Sequence, residues 1–426
     1  VADSNATCAG STASFAVIPA SRRGIKIQRD GGQMIVGFAR HEWIADVPMS
    51  AVDQQFQLPT QGGQIPSDRF LKSLLLQYQG RMTNPSSGGP TGVLADAPMS
   101  IMERIHVGGY HRLRGAREEF IDIRGADLWQ LTKLYAATVS NPYTTPKPGF
   151  GSTPASALNL SASAVNDIRI QFLLPFTPIG LPITQQKSWL LDAPNYDQLQ
   201  LTIYNADALS VFTGQTTQPT FAAFGSTTGN PIVRVSGQYT MFGASRGSGY
   251  VPGRVWRYFY ENVASTNLVT GGTGLREYNV PRGNRIRCIL IKTGVKATTT
   301  AASNNAYSTL SNTIWSNVKF MLGLNKQIRF WADFYSLQFD CTDSYGVTPD
   351  VGFGLIDFAN QGTQSEVLNT VGLIAGPTGD TDVYLQTDIA GASGQADMAL
   401  YEELRGLPRN VAVVASATAG GGPTGS

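Results

Sequence analysis

The sequence predicts an all-β chain built as two consecutive β-sandwiches with few short helices, and three observations predict it. Apolar runs of roughly four to eight residues, bounded by Gly, Pro and Asn, recur along the chain in the manner of sandwich strands. One ordered series of segments occurs twice. Between the two copies lies GASRGSGYVPGR (Gly243–Arg254), which has almost nothing to bury and favours turn and coil.

The first copy runs RHEWIADV (Arg40–Val47), IPSDRFLKSLLL (Ile65–Leu76), MERIHVGG (Met102–Gly109), GADLWQL (Gly125–Leu131), DIRIQFLLPF (Asp167–Phe176), QLQLTIY (Gln198–Tyr204) and IVRVSGQY (Ile232–Tyr239). The second runs RYFYENV (Arg257–Val263), VPRGNRIRCILI (Val280–Ile291), NVKFMLGL (Asn317–Leu324), WADFYSL (Trp331–Leu337), DVGFGLIDF (Asp350–Phe358), DVYLQT (Asp382–Thr387) and ADMALYEEL (Ala396–Leu404). Pro66 and Pro281 are separated by the same interval as Met102 and Asn317. A repeat of this length means a duplicated domain rather than a solenoid. The expected division is an N-terminal arm (1–36), a first sandwich (37–242), a linker (243–254), a second sandwich (255–410) and a C-terminal tail (411–426).

In the arm, Arg22, Arg23, Lys26 and Arg29 form a basic cluster, and IKIQRDGGQMIVGF suits a hairpin about Asp30-Gly31-Gly32. In the first copy FLKSLLLQY, MERIHV, EEFIDI, IRIQFLLPF, LQLTIY and IVRVSGQYTMF read as strands. QLQLTIY alternates, with Leu199, Leu201 and Ile203 on a dry face and Gln198, Gln200 and Thr202 on a wet one. DLWQLTKLYAATV reads as a helix that Asp127 caps, with Gln130 completing a capping box and Leu128, Leu131, Leu134 and Tyr135 supplying an apolar stripe. The long loops Asn141–Ala164 and Thr213–Asn230 are expected to form a tower or lock onto a neighbouring subunit. In the second copy the strands are RYFYENV, IRCILIKTGV, NVKFML, FYSLQFD, DVGFGLIDF, DVYLQT and ADMALYEEL, and WADFYSLQF reads as a helical turn running into a strand. Separate cores are expected, with Val383 and Leu385 buried in the second and no sheet shared across the seam. The tail is low in complexity.

The chain is large enough, at 426 residues, for two or three cores. Its net charge of +2 supplies no bulk field toward nucleic acid. Charged residues make up 15%, against roughly 25% in ordinary soluble domains. A surface this poor in like-charge repulsion suits one covered by neighbouring subunits. Cys8, Cys288 and Cys341 form no paired motif, and Cys288 in RIRCILI reads as a small buried thiol. VADSNATCAG lacks a signal-peptide layout and no apolar run reaches the roughly 18 residues of a spanning helix, so a chain that is soluble, or assembled from soluble parts, is expected.

No catalytic, cofactor-binding or metal-binding residue is assigned, and no cofactor is expected. His41, His106 and His111 lack a G-x-S-x-G elbow or a metal-ligand spacing, and a surface or hydrogen-bonded role suits them better. Asp380 and Asp382 fit a strand-entry turn better than a calcium site, and Gly271–Gly274 fits a hairpin turn better than a phosphate loop. Arg112, Arg114, Arg117 and Arg124 lie among Glu118, Glu119 and Asp122, which points to an ion-paired interface rather than to sequence-specific nucleic-acid binding.

Two consecutive sandwiches with a short linker, long loops and one capped helix resemble the double jelly-roll major capsid proteins. That family builds tailless icosahedral viruses, including internal-membrane bacteriophages and the adenovirus hexon. The closest local likeness is IRIQFLLPFTPIGLPITQQKSWLLDAPNYDQLQLTIYNAD (Ile168–Asp207). The resemblance spans roughly residues 37–410. It implies two jelly rolls per chain, and a non-enzymatic homotrimer that forms pseudo-hexagonal capsomers of the virion shell. Its implied partners are neighbouring capsomers, minor capsid and penton proteins, and internal membrane lipid through the arm. A carbohydrate-binding adhesin of a cell surface or phage fibre is the rival reading. A β-rich hydrolase is the other, and the shortage of His and of paired carboxylates in predicted loops argues against it.

Overall fold

A computed structural model describes residues 29–30, 33–34, 42–50, 54–58, 64–66, 69–112, 115–137, 157–177, 190–239, 255–261, 274–280, 285–296, 307–322, 326–358, 368–369, 383–389 and 395–404. The seam 243–254, most of the arm, the tail, most of the Asn141–Ala164 loop, Cys8, His41, Arg114, Asp380, Asp382 and residues 271–273 lie outside the described residues. In the arm, Arg29 pairs with Met34 and Asp30 with Gln33, the hairpin expected about Asp30-Gly31-Gly32.

The first half carries β1 (Glu42–Pro48), β2 (Gln54–Leu58), β3 (Leu71–Thr83), β4 (Met102–His111), β5 (Ala116–Ile123), helix α1 (Gly125–Ala137), β6 (Val165–Pro175), β7 (Tyr196–Asn205), β8 (Thr220–Ala223) and β9 (Ile232–Tyr239). The second carries β10 (Val255–Glu261), β11 (Gly274–Asn279), β12 (Arg285–Lys296), β13 (Tyr307–Leu310), β14 (Trp315–Leu322), β15 (Gln327–Asp333), helix α2 (Phe334–Tyr345), β16 (Phe353–Asp357), β17 (Val383–Ile389) and β18 (Gln395–Leu404).

The two halves repeat one topology. In the first, β1-β9-β3-β6 face β2-β7-β4-β5; in the second, β10-β18-β12-β16 face β11-β17-β14-β15. Each half therefore places its elements in the same order, with the helix directly after the fifth strand of the repeat. The segments paired by sequence fall on topologically equivalent elements throughout, from β1 with β10 to β9 with β18. Two consecutive jelly-roll sandwiches result.

Alternation places the core. Val47, Leu74, Leu76, Ile170 and Val235 come from one sheet of the first sandwich, and Phe56, Ile105, Val107, Leu199, Leu201 and Ile203 from the other. Thr202, expected on the wet face of β7, is also buried. A second cluster holds Ile289, Ile291, Val318, Phe320, Leu385 and Met398, closed at one end by Phe334 and Leu337 of α2. Leu385 is buried as expected, while the Val383 side chain lies outside the described residues.

Three expectations are corrected. The sheets are not separate: β5 pairs in parallel with β10 through Ile121–Tyr258 and Asp122–Phe259, joining one sheet of each sandwich into a single sheet across the seam. Each strand is otherwise the edge of its own sheet, and pairing satisfies backbone groups that an open edge leaves to water. FYSLQFD is helix rather than strand, because Asp333 caps it by accepting from the Ser336 N–H at 2.7 Å. Gly346 ends that helix in the left-handed region at φ 67°, where its N–H reaches the Thr342 carbonyl. Asp127 does not cap α1. The helix begins at Gly125, which puts Asp127 inside its first turn and frees the carboxylate for the second sandwich.

Candidate assembly surfaces

The interior join between the sandwiches is built on α1 and the outer face of β12. Ile289 and Ile291 of β12 point into the second core, while Cys288, Leu290 and Lys292 turn the other way, toward the first half. Lys292 is fully buried, with its ammonium 2.7 Å from Asp127 of α1 and 3.3 Å from Asp96, which also accepts from the Tyr307 N–H. Burial alone would lower its pKa, but Asp127, Asp96 and Asp397 together outweigh that and hold it above the ordinary lysine range. Arg124, just before α1, meets Asp397 of β18 at 2.6 Å, with both side chains out of water. Lys133 of α1 reaches Asp350 at 2.6 Å, and the Gln130 carboxamide faces that same residue. Gln130 is thus a contact to the second sandwich and not part of a capping box.

The arginines singled out in the sequence are ion-paired wherever they are described. Arg112 pairs with Asp197, Arg117 with Glu119 at 2.8 Å, and Arg124 with Asp397, so only the last spans the two sandwiches. His106 faces the Glu119 carboxylate, and His111 stacks edge-on against Tyr196 at 4.9 Å. Cys288 and Cys341 are buried free thiols. Burial, helped by Asp357 and Asp340, pushes the Cys341 thiol up to about 12. Among the described residues no group of three or more His, Cys, Asp or Glu is placed to hold a metal.

The Thr213–Asn230 loop is fastened to its own sandwich. β8 pairs with the end of β3, Arg169 lies over the Phe224 ring at 3.9 Å, and Asp167 accepts from the Gly225 N–H.

The second sandwich presents a strip of large apolar side chains that sequence reasoning missed. Ile328 and Trp331 of β15 are 53% and 65% exposed, and Tyr335 and Phe339 of α2 are 61% and 69% exposed. β15 is the edge of its sheet, and Tyr335 and Phe339 stand one helical turn apart. The equivalent surface of the first sandwich is covered, since α1 lies under β12 and β5 is paired with β10. At the free edge of the first sandwich, Trp43 of β1 is 64% exposed, with its indole N–H on Asp46. A cavity of about 590 Å³, lined by Phe320, Phe330, Asp343, Tyr345 and Phe358, opens between β14, β15, α2 and β16.

No family model matches the chain, and no curated protein matches it. Among solved structures it is similar to the crystal structure of the major capsid protein of STIV, Sulfolobus Turreted Icosahedral Virus. That likeness has TM-score 0.53 and 14% identity, covering 84% of this chain and 96% of that one. A chain of the atomic structure of Sulfolobus Turreted Icosahedral Virus gives TM-score 0.51 and 16% identity, covering 85% of this chain and 90% of that one. The PBCV-1 virus capsid gives TM-score 0.51 and 11% identity, covering 89% and 95%. The chain shares with these capsid proteins the double jelly-roll fold.

Proposed function

We propose that this chain is the major capsid protein of a tailless icosahedral virion, a structural subunit without catalysis whose place is the capsid shell. The observation that carries the reading is the side-by-side join of two topologically equivalent sandwiches, through β5–β10 and α1–β12. Each sandwich is a rigid brick whose loops grow without disturbing the core. Three chains supply six such bricks, a pseudo-hexagonal trimer that tiles a shell. The likeness to viral capsid proteins over most of both chains supports the same reading.

In this reading residues 37–242 and 255–410 are the two bricks, 243–254 is their linker, and 1–36 and 411–426 are an arm and a tail. The arm's cluster of Arg22, Arg23, Lys26 and Arg29 faces inward, toward lipid headgroups or packaged nucleic acid. Neighbouring capsomers and minor capsid and penton proteins are the remaining partners. Cryo-electron microscopy of the native particle tests the reading. Density for this chain repeated across an icosahedral shell is expected; a particle whose shell is built by another protein refutes it.

A further inference from the structure

The cavity between β14, β15, α2 and β16 has an apolar interior and an acidic mouth. Phe320, Cys341, Leu355 and Ile356 are its buried wall, and the rings of Phe330, Tyr345 and Phe358 extend it. Asp340, Asp343 and Asp357 share the lining, and no lysine or arginine is among the described residues there. Asp340 and Asp343 are exposed and Asp357 is half-buried, so the carboxylates stand toward water and the apolar wall lies inward. Asp340 and Asp357 both act on the Cys341 thiol, adding to the burial that pushes it up to about 12, so the field at that wall is negative. A volume of about 590 Å³ is that of a small-molecule site, which runs from roughly 300 to 1,000 Å³.

The fold does not impose this chemistry, because the repeat builds the same place without it. The matched segments set Leu134, Ala137 and Pro175 of the first sandwich opposite Asp340, Asp343 and Asp357 of the second. Leu134 is buried where Asp340 is exposed. Phe176 is fully buried and edge-on to Phe120 at 6.1 Å, whereas its counterpart Phe358 is half-buried and tilted against Phe320 at 5.0 Å. Three uncharged residues in one copy are thus three carboxylates in the other, gathered at one opening. Like charges held together repel, and a cation among them relieves that repulsion. Aromatic faces attract a cation as well, through the ring quadrupole. We propose that this cavity binds an organic cation, an ammonium group carried on an aromatic or alkyl body. The body lies against Phe320, Phe330 and Phe358, and the charge sits at Asp340, Asp343 and Asp357. The site belongs to the second sandwich alone and does not depend on how copies assemble.

The test is calorimetric titration of the full chain with three probes of one shape and different charge: 4-phenylbutylammonium, 4-phenylbutanol and 4-phenylbutyrate. The ammonium is expected to bind once per chain, at least tenfold more tightly than the alcohol, and the carboxylate not at all. Added salt should weaken the ammonium and leave the alcohol unchanged, since charges at an exposed mouth are screened. Asp340→Asn with Asp343→Asn changes two exposed side chains and should bring the ammonium down to the affinity of the alcohol. Ser344→Trp narrows the cavity from α2 and should abolish binding of both, with circular dichroism unchanged in every variant. Equal affinity for the three probes, or binding of none, overturns the proposal. Ammonium binding that survives the double Asn variant or Ser344→Trp overturns it too.

Discussion

Lys292 sits in the interior against two carboxylates, Asp96 and Asp127, and that arrangement stabilises only while it is complete. Lys292→Met strands Asp96 and Asp127 without their cation, and removing one member of a buried pair costs about 3–5 kcal/mol. Urea unfolding should show a loss of that size. Adding Asp127→Leu to Lys292→Met should recover part of it, because the stranded carboxylate goes too; a double variant no better than the single one would contradict the account. Cys341 and Cys288 make a second prediction at this scale. Nucleophilic attack needs the thiolate, and burial holds the Cys341 thiol protonated. At pH 8 both should resist a thiol reagent in the native protein and react once denaturant is added. Reaction of Cys288 in the folded protein would show that the join opens.

Among the elements, α2 teaches the most about what the sequence makes legible. WADFYSL matches GADLWQL, and the two occupy equivalent places at the start of α2 and α1. Yet FYSLQFD reads locally as a strand, because Tyr335 and Phe339 are exposed aromatics and blur the helical stripe of Phe334, Leu337 and Cys341. The repeat held the right answer: a segment aligned with a helix is a helix. Asp333 is the signal that was available, since it stands where Asp127 does in the match and caps α2. Asp333→Ala should cost about 1 kcal/mol in urea unfolding, the usual worth of an N-cap; an unchanged midpoint would mean that packing alone sets the helix start. The strands were legible for a simpler reason. Leu199, Leu201 and Ile203 alternate with polar neighbours, and a sheet packed on one face requires that alternation.

For the whole molecule, the duplication was visible in sequence and the way the copies meet was not. Order and spacing of segments survive as local patterns, whereas the β5–β10 pairing brings together residues 137 positions apart in the chain. Likewise Asp127 looks like a cap when only its neighbours are read, and its partner Lys292 comes from the other sandwich. The same interior join explains why a chain with 15% charged residues keeps so many buried ion pairs between its halves while leaving apolar side chains on β15 and α2. The most direct measurement is the native mass of the purified, disassembled protein. The account predicts three times the 45.6 kDa of one chain, and a stable monomer at micromolar concentration would contradict it.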